Sequence, residues 1–287
     1  VDMADRFGLG QVALDVVGWA TRFLDYDMDG RLDLFVVNGS TIPTREDPTR
    51  LTPMRSHLYW NAGAERGYYE VGAVSGDFFR MEHVGRGGAT FDHDLDGDED
   101  LLIVCHGESA VLLRNDGGEA NGSLRLRLRQ REGNRFALGA RVWASIGGET
   151  VFDELDTQGS YLSQHAVGEL ALGMGQVAWV DQVRVRWPDG DEESAGPFPA
   201  GALVSWTKGE WPRVEPLPGR LDLLRAGPAD LASKRQFFAT RDEAARARLA
   251  GDRERAIELY QQALALWPAH ADCLYYLGNT CMELGLE

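Results

Sequence analysis

Two short stretches of the chain concentrate aspartate at one repeated spacing. The first runs over residues 25–33 and the second over residues 92–100, which lie 67 positions later. In each stretch aspartate stands at positions 1, 3, 5 and 9, and glycine stands at position 6. The carboxylates are Asp25, Asp27, Asp29 and Asp33 in the first stretch and Asp92, Asp94, Asp96 and Asp100 in the second.

This spacing suits a hard cation that binds six or more oxygen atoms. The four side chains of each loop would supply carboxylate oxygens, and position 7, occupied by Arg31 or Asp98, would supply a backbone carbonyl. Gly30 and Gly97 permit the positive φ that folds such a loop round an ion. Because close carboxylates repel one another without a counter-ion, the sequence predicts two Ca²⁺ sites.

Other interpretations of these loops fit less well. An EF-hand needs a bidentate glutamate at position 12, where this chain has Val36 or Ile103. Magnesium prefers near-ideal octahedral geometry, and zinc prefers His or Cys ligands. His93 lies in the second loop, but at position 2, where its side chain is expected to point away. Two metal-free aspartate turns stay open as an alternative, although a second copy in the same context favours calcium.

Short β-strands are the elements that must hold these loops. Residues 1–117 contain apolar or alternating runs separated by Gly, Asp and Asn, a pattern typical of strands and turns. Residues 18–39 align with residues 85–107, and each segment carries one aspartate loop between two strand-like runs. A repeat of this length with several strands predicts blades of the β-propeller type.

The rest of the chain divides into three segments that differ in composition and in the pattern of polar and apolar residues. Residues 118–212 alternate polar and apolar positions between Gly-rich turns, which predicts a small antiparallel β-sandwich or barrel. Residues 213–235 are interpreted as a linker, because the stretch before residue 220 is polar and proline-spaced. Residues 236–287 have a helical composition. The fold class predicted is therefore mainly β, with an α-helical segment at the end.

The helical segment carries the spacing of a tetratricopeptide (TPR) repeat. One set of positions matches the second helix of a repeat, and a further set matches the first helix of the next repeat. These positions are Ala256, Tyr260, Ala263 and Pro268 in the first set, and Leu274, Leu277, Gly278, Cys281 and Gly285 in the second. The prediction is one full repeat and half of the next, with helices that dock a protein partner.

Charge, hydropathy and cysteine content disfavour a nucleic-acid-binding protein, a membrane-spanning chain and a disulfide-rich protein. The net charge is −16, nearly all of it in residues 1–212, which disfavours nucleic acid as a partner. No apolar run approaches the ~18 residues that a membrane span requires. Cys105, Cys273 and Cys281 form neither a disulfide framework nor a CxxC pair, and each is interpreted as a small buried residue. The chain begins at Val1 with no basic and apolar leader after it, and two Asn-Gly-Ser sequons leave the compartment open.

Several motifs carry a family resemblance. The strands after the two aspartate loops read "LDLFVVNG" and "DLLIVCHG", and this pattern resembles the FG-GAP/VCBS blades of integrin-type β-propellers. The middle region resembles the ASPIC/UnbV domain of the cartilage acidic protein family. The segments that match it are "NRFALGARV" (134–142), "QGSYLSQ" (158–164), "LALGMG" (170–175) and "VDQVRVRWPDG" (180–190).

With the TPR segment, this resemblance covers nearly the whole chain. It implies a propeller of about seven blades, of which two are visible, so further blades are expected before Val1 unless the β units assemble differently. Ala137 and Leu138 replace a usual Gly-Ile pair in the ASPIC/UnbV pattern. The resemblance is specific for architecture and leaves the biochemical activity open.

No strong catalytic motif occurs in the sequence. It contains no Gly-x-Ser-x-Gly, His-Glu-x-x-His or Walker A pattern, and residues 173–178 fit a dinucleotide pattern but precede a strand. Tyr161 and His165 are the candidate ligand contacts, in a run also interpretable as a plain strand and turn. That strand would put Tyr161 and Ser163 on one face. Arg125, Arg127, Arg129 and Arg131 are expected to share a solvent face, as a solvated edge or as a basic patch for an acidic partner.

These observations favour a calcium-binding, non-catalytic protein-interaction or adhesion module. Protein partners are expected at the TPR helices and the propeller surface, and the expected location is secreted, periplasmic or at the cell surface. The alternative is an enzyme or accessory protein of a biosynthetic pathway, with its ligand site in the propeller or ASPIC/UnbV region. A third interpretation is a purely architectural subunit.

Overall fold

The structure, a computed structural model, describes residues 2–118, 121–157, 159–164, 168–218, 231–267 and 270–284. It is mainly β, with several antiparallel sheets followed by three α-helices within the described residues, which confirms the coarse fold prediction. The chain groups into two compact units. The first comprises Val1–His93, Asp98–Ala120 and Asp156–Val167, and the second comprises Asp94–Gly97, Asn121–Leu155 and Gly168–Glu287.

The first unit contains two antiparallel sheets. The four-stranded sheet has the order β1-β2-β3-β4, and the three-stranded sheet has the order β5-β6-β7. The strands are β1 (Gly18–Leu24), β2 (Asp33–Asn38), β3 (His57–Asn61), β4 (Tyr68–Glu70), β5 (Gly85–Phe91), β6 (Asp100–Cys105) and β7 (Val111–Leu113). Two short 3₁₀ turns, Gly72–Val74 and Phe78–Arg80, lie between β4 and β5.

The internal repeat is visible in the strand boundaries. β5 and β6 begin and end 67 positions after β1 and β2, and both hairpins carry an aspartate loop between their strands. Even the irregularity repeats, because the register shifts between Gly18 and Ala20 in one hairpin and between Gly85 and Gly87 in the other. Two hairpins of one design therefore occupy the first unit.

The glycines of β5 have a packing reason. The core of this unit includes Phe35 and Val37 of β2 and Ile103 of β6. A Cβ atom on Gly88 would lie 2.9 Å from Phe35 Cε1 and 2.9 Å from Val37 Cγ2. Because side chains of the first sheet fill this space, β5 needs a residue without a side chain at this position.

This packing predicts the effect of a single added methyl group. We expect Gly88→Ala to lower the free energy of unfolding by about 1–2 kcal/mol, because Phe35 and Val37 must move. Gly278→Ala is the matched control, since nothing lies within 4 Å of its added Cβ in a helix, and it should be neutral or stabilising. Urea unfolding of both variants measures the difference, and equal stabilities would contradict the packing argument.

The second unit holds a β-sandwich. One sheet has the order β11-β8-β15-β16, and the other has the order β10-β9-β12-β13 with β14 paired to β12. All pairs are antiparallel except β8 with β15, which is parallel. The strands are β8 (Gly122–Arg129), β9 (Arg141–Ile146), β10 (Glu149–Glu154), β11 (Glu169–Gly175), β12 (Trp179–Arg186), β13 (Glu192–Ala195), β14 (Phe198–Pro199), β15 (Ala202–Thr207) and β16 (Arg213–Pro216).

Strand β8 shows why the leucines alternate with arginines. Leu124, Leu126 and Leu128 are fully buried in a core shared with side chains of the other sheet. The interpretation of β8 as a solvated edge is wrong, because it lies between β11 and β15. Arg125 is 4% exposed, and its guanidinium lies 3.6 Å from Glu169 on the neighbouring strand.

Three helices follow in the second unit. They are α1 (Leu231–Leu249), α2 (Arg253–Leu266) and α3 (Ala271–Glu283). Asp252 caps α2 by accepting a hydrogen bond from Arg255 N at 3.2 Å. The indole of Trp179 donates to Gln261 O at 3.1 Å and shares a core with all three helices, so α2 is attached to strand β12.

The structure differs from the sequence prediction at the linker. Residues 213–216 form β16, which extends the sheet beside β15, and α1 begins at Leu231 rather than near Gln236. Leu217 is 1% exposed, so the chain is still packed just after β16. No helix among the described residues is long and apolar enough to span a membrane.

Candidate metal centre

The first aspartate loop gathers three carboxylates at one point. Asp25, Asp27 and Asp29 each offer an oxygen, and the three oxygens lie within 4.8 Å of one another. The loop folds this way because Met28 and Gly30 adopt positive φ values of 55° and 91°. The second loop repeats both backbone conformations, with φ of 62° at Leu95 and 102° at Gly97.

Asp25 is the buried anchor of the first loop. It is 5% exposed, and its two oxygens accept hydrogen bonds from Asp29 N at 3.0 Å and Gly30 N at 2.8 Å. The pKa of Asp25 is raised to about 8, first by burial and also by the nearby charges of Asp29, Asp33 and Asp27, while the hydrogen bond from Gly30 N opposes the rise. A buried anion in an acidic cluster is costly, and a cation bound there would offset that cost.

Asp27 is held by a side chain of another strand, and Asp29 is held by Arg31 within the loop. The indole Nε1 of Trp60, on β3, donates to Asp27 Oδ2 at 3.0 Å. Asp29 accepts a hydrogen bond from Arg31 N at 2.9 Å and pairs with the guanidinium of Arg31. Burial is the main cause that raises the pKa of Asp29. With the two hydrogen bonds of Asp25, all three clustered carboxylates are oriented by hydrogen bonds.

Asp33, at position 9, has a different role from the three clustered carboxylates. Its oxygens accept hydrogen bonds from Tyr26 N at 3.1 Å and Asn61 N at 2.7 Å, and it is 1% exposed. Burial raises its pKa to about 7. Asp33 therefore ties the start of the loop to the end of strand β3.

Asp100 does the same in the second repeat. It accepts hydrogen bonds from His93 N at 2.8 Å and from Asn115 N at 2.8 Å. The ring nitrogen Nδ1 of His93 also lies 3.0 Å from Asp100 Oδ2, so the imidazole turns toward this carboxylate. In both hairpins the aspartate at position 9 therefore joins the start of the loop to a neighbouring segment through two backbone hydrogen bonds.

Two asparagines complete the repeated hairpins, and neither was predicted as a functional residue from the sequence. The side-chain amide of Asn61 donates to Leu32 O at 2.9 Å, and that of Asn115 donates to Glu99 O at 3.4 Å and to Tyr26 O at 2.6 Å. The Oδ1 atom of each accepts from the glycine two residues later, at 3.0 Å. The signal was an Asn-x-Gly tripeptide, which starts at the last residue of β3 in the first repeat and shortly after β7 in the second.

The second loop is divided between the two units. Asp92, His93 and Asp98–Asp100 belong to the first unit, and Asp94–Gly97 belong to the second. Within the first unit, Asp98 and Asp100 are fully buried.

The donor set fits a hard divalent cation better than zinc. All clustered ligand atoms of the first loop are carboxylate oxygens, which calcium prefers. If an ion binds, Asp25, Asp27 and Asp29 would hold it, and the backbone carbonyl of Arg31 stays a predicted ligand. Such an ion supplies positive charge and a rigid connection between two strands, and no catalytic step is derived from it.

A further cluster of metal-binding residue types is better explained by structure. His83, Cys105 and Glu108 lie close together, but His83 Nδ1 is 2.8 Å from Glu108 and the imidazole stacks on Phe78 at 4.5 Å. Burial raises the pKa of the Cys105 thiol to about 11, which opposes thiolate ligation. All three cysteines are free and buried, as predicted.

Tyr161 lies in a segment of the first unit that packs on strands β1 and β5. Residues 159–164 form a turn rather than the predicted strand, with a hydrogen bond from Ser163 N to Ser160 O at 3.1 Å. The Ser160 hydroxyl accepts from Thr21 N at 2.8 Å, and the Ser163 hydroxyl accepts from Gly88 N at 2.9 Å. The two serines therefore satisfy backbone donors of β1 and β5.

The Tyr161 ring takes part in this packing. It lies 4.8 Å from the ring of Trp19, over which the guanidinium of Arg86 sits at 4.5 Å. These contacts give Tyr161 a structural role, although half of its surface is exposed. His165, the other candidate ligand contact, lies outside the described residues.

The segment can be tested by mutation. We expect Tyr161→Ala, or Ser160→Ala combined with Ser163→Ala, to lower the free energy of unfolding of the first unit by about 1–2 kcal/mol. Leu162→Ala is the control, because this side chain is 69% exposed. Thermal unfolding of all three variants at equal protein concentration measures the effect, and equal midpoints would exclude the structural role.

Comparison with known proteins supports one part of the resemblance. Residues 130–211 match the family described as ASPIC and UnbV, a stretch that covers less than a third of the chain and contains the segment 159–164. A search of curated proteins found no match to this chain. The middle of this protein, from the end of β8 to the turn after β15, is therefore similar to the ASPIC and UnbV family.

Proposed function

We propose that this chain is a calcium-stabilised, non-catalytic interaction module. Its two repeated hairpins act as blades of the propeller type, the ASPIC/UnbV region adjoins them in sequence, and the helices are TPR-like and dock a partner. The observation that carries the proposal is the first loop, where three carboxylate oxygens converge within 4.8 Å around a buried Asp25. Similar positive φ values at the matching positions of the second loop support a second proposed site.

The helices support the docking part of this proposal. α2 buries Ala256, Tyr260 and Ala263, which are the positions expected of a second TPR helix. α3 buries Cys273, Leu277 and Cys281, while Tyr275 and Met282 are 65% and 66% exposed. An exposed apolar face on the last described helix is what stacking against a further helical element requires. A calcium-rich compartment, secreted, periplasmic or at the cell surface, fits such sites.

Terbium luminescence tests the metal site directly. Tb³⁺ binds calcium sites and emits strongly when a nearby indole absorbs the exciting light. Because the Trp60 indole donates to Asp27, we expect sensitised emission that excess Ca²⁺ displaces. Trp60→Phe should remove most of the emission, and the matched control Trp211→Phe, at an exposed residue, should leave it. An absence of saturable emission would refute the site.

One observation favours the alternative function, an accessory or ligand-binding protein. A cleft of about 500 Å³ lies in the first unit and has a mainly apolar lining that includes Leu24, Phe79 and Leu112. The charged lining residues are Asp77, Glu99, Arg114 and Asp116, and a mainly apolar pocket with a few polar groups is usual for small-molecule sites. Mass spectrometry of an extract from denatured protein tests this alternative, and a stoichiometric small molecule would favour it.

A further inference from the structure

Because β8 and β15 pair in parallel, the C-terminal ends of these two strands lie side by side at one end of the sandwich. Arg129 and Thr207, the last residues of these strands, are register partners. The chain turns after each strand, and a hydrogen bond from Lys208 N to Arg129 O at 2.9 Å joins the two turns. A second hydrogen bond, from Gln130 N to Arg135 O at 3.0 Å, closes the turn after β8. A cleft of about 600 Å³ opens there.

The lining of this cleft is cationic in a strongly acidic protein. It contains three arginines and one glutamate, whereas the whole chain carries a charge of −16. The lining residues are Arg129, Gln130, Arg131, Arg135, Phe136, Thr207 and Glu210. A local reversal of charge of this kind attracts anions against the field of the rest of the molecule.

Backbone carbonyls and an aromatic ring hold the Arg129 side chain in place. Its Nη1 donates to Leu128 O at 2.8 Å and to Gly168 O at 3.0 Å, and its guanidinium carbon lies 5.0 Å from the centre of the Phe136 ring. Gly168 lies beside it with a φ of 84°, a left-handed conformation that favours glycine. These two hydrogen bonds fix the position of the Arg129 guanidinium. They do not neutralise its positive charge, because both acceptors are backbone carbonyl oxygens.

The other two arginines differ in their partners. Arg131 donates from Nε to Glu210 Oε1 at 2.7 Å, so the one glutamate of the cleft already occupies it. The guanidinium of Arg135 has no hydrogen-bond or ion-pair partner within the described part of the chain. Phe136 is 45% exposed and offers a flat apolar face beside the charges.

We propose that this cleft binds a small oxyanion joined to a planar apolar group, such as an aryl sulfonate, sulfate, phosphate or carboxylate. Arg129 and Arg135 would pair with the oxyanion, since a guanidinium fork matches its geometry. The planar group would lie on Phe136. Glu210 would compete with the ligand for Arg131. This site is independent of the proposed calcium loops.

Calorimetric titration of the full chain with benzenesulfonate tests the proposal in calcium-containing buffer. We expect saturable binding that methanesulfonate reproduces only weakly, because it lacks the ring. Arg135→Gln should weaken binding about tenfold through the lost charged hydrogen bonds. Glu210→Gln should tighten binding, because it frees Arg131 and removes a negative charge.

Two further variants separate the site from a general charge effect. Arg253→Gln removes the same charge on α2, where Arg253 pairs with Glu283 at 2.8 Å, and should leave the affinity unchanged. Phe136→Ala should abolish the preference for the aryl over the alkyl sulfonate. Equal affinities for Arg135→Gln and Arg253→Gln would overturn the proposal, as would an absence of binding at about 10 mM ligand.

Discussion

Calcium is expected to raise the thermal unfolding midpoint of this protein by about 5–10 °C. A ligand at 100 times its dissociation constant stabilises the folded state by about 2.7 kcal/mol, and each kcal/mol corresponds to roughly 2–4 °C for a chain of this size. The physical source is the first loop, where Asp25 is buried at 5% exposure among like charges. A bound cation removes that repulsion, whereas EDTA restores it.

The variant Asp27→Asn tests the origin of this shift. An asparagine oxygen can still accept the hydrogen bond from Trp60, so the fold is kept while one ligand charge is lost. We expect about tenfold weaker calcium binding and a correspondingly smaller shift. Asp77→Asn is the control, since Asp77 is exposed and pairs with Arg80 outside the loop. A calcium-induced shift equal in both variants would contradict the assignment.

The second large effect expected is on pH dependence. The folded pKa of Asp25 is about 8 and that of Asp33 is about 7, both above the ordinary value of 3.8. Groups with raised folded pKa values stabilise the fold fully below their unfolded pKa and lose that contribution as pH rises through the folded value. Metal-free protein should therefore lose stability between about pH 4 and pH 8. Calcium binding should tighten over the same range, because protons and metal compete for the carboxylates.

Thermal unfolding in EDTA and in calcium, from pH 5.5 to pH 8, measures this effect. We expect the metal-free midpoint to fall by about 5 °C or more, while the calcium-loaded midpoint changes little. The calcium dissociation constant should fall at least about 100-fold from pH 5 to pH 8. A metal-free midpoint that rises with pH would show that Asp25 and Asp33 are charged at no cost.

Local pattern was enough to predict the repeated hairpins. The aspartate spacing and the flanking apolar runs located both strand pairs, because period-two alternation and turn glycines act within a few residues of each other. The structure also confirms the mainly β fold and the buried cysteines. The family match over residues 130–211 supports the ASPIC/UnbV resemblance, which the sequence predicted for residues 118–212. The calcium sites, the propeller and the TPR assignment stay predictions.

Contacts between distant residues explain what the sequence did not reveal. Asn61 and Trp60 reach the first loop from β3, about 30 positions along the chain. Ser160 meets Thr21 across 139 positions. β8 is an inner strand only because β15 pairs with it in parallel. Such pairings depend on topology, which neither alternation nor local spacing encodes.

Calorimetric titration of metal-free protein with calcium chloride at pH 8 tests the central claim most directly. The two aspartate loops predict saturable binding of two calcium ions per chain, and Asp27→Asn should weaken one of the two sites. A titration without saturable heat, together with an unchanged melting profile in EDTA, would contradict the claim and leave the loops as metal-free aspartate turns.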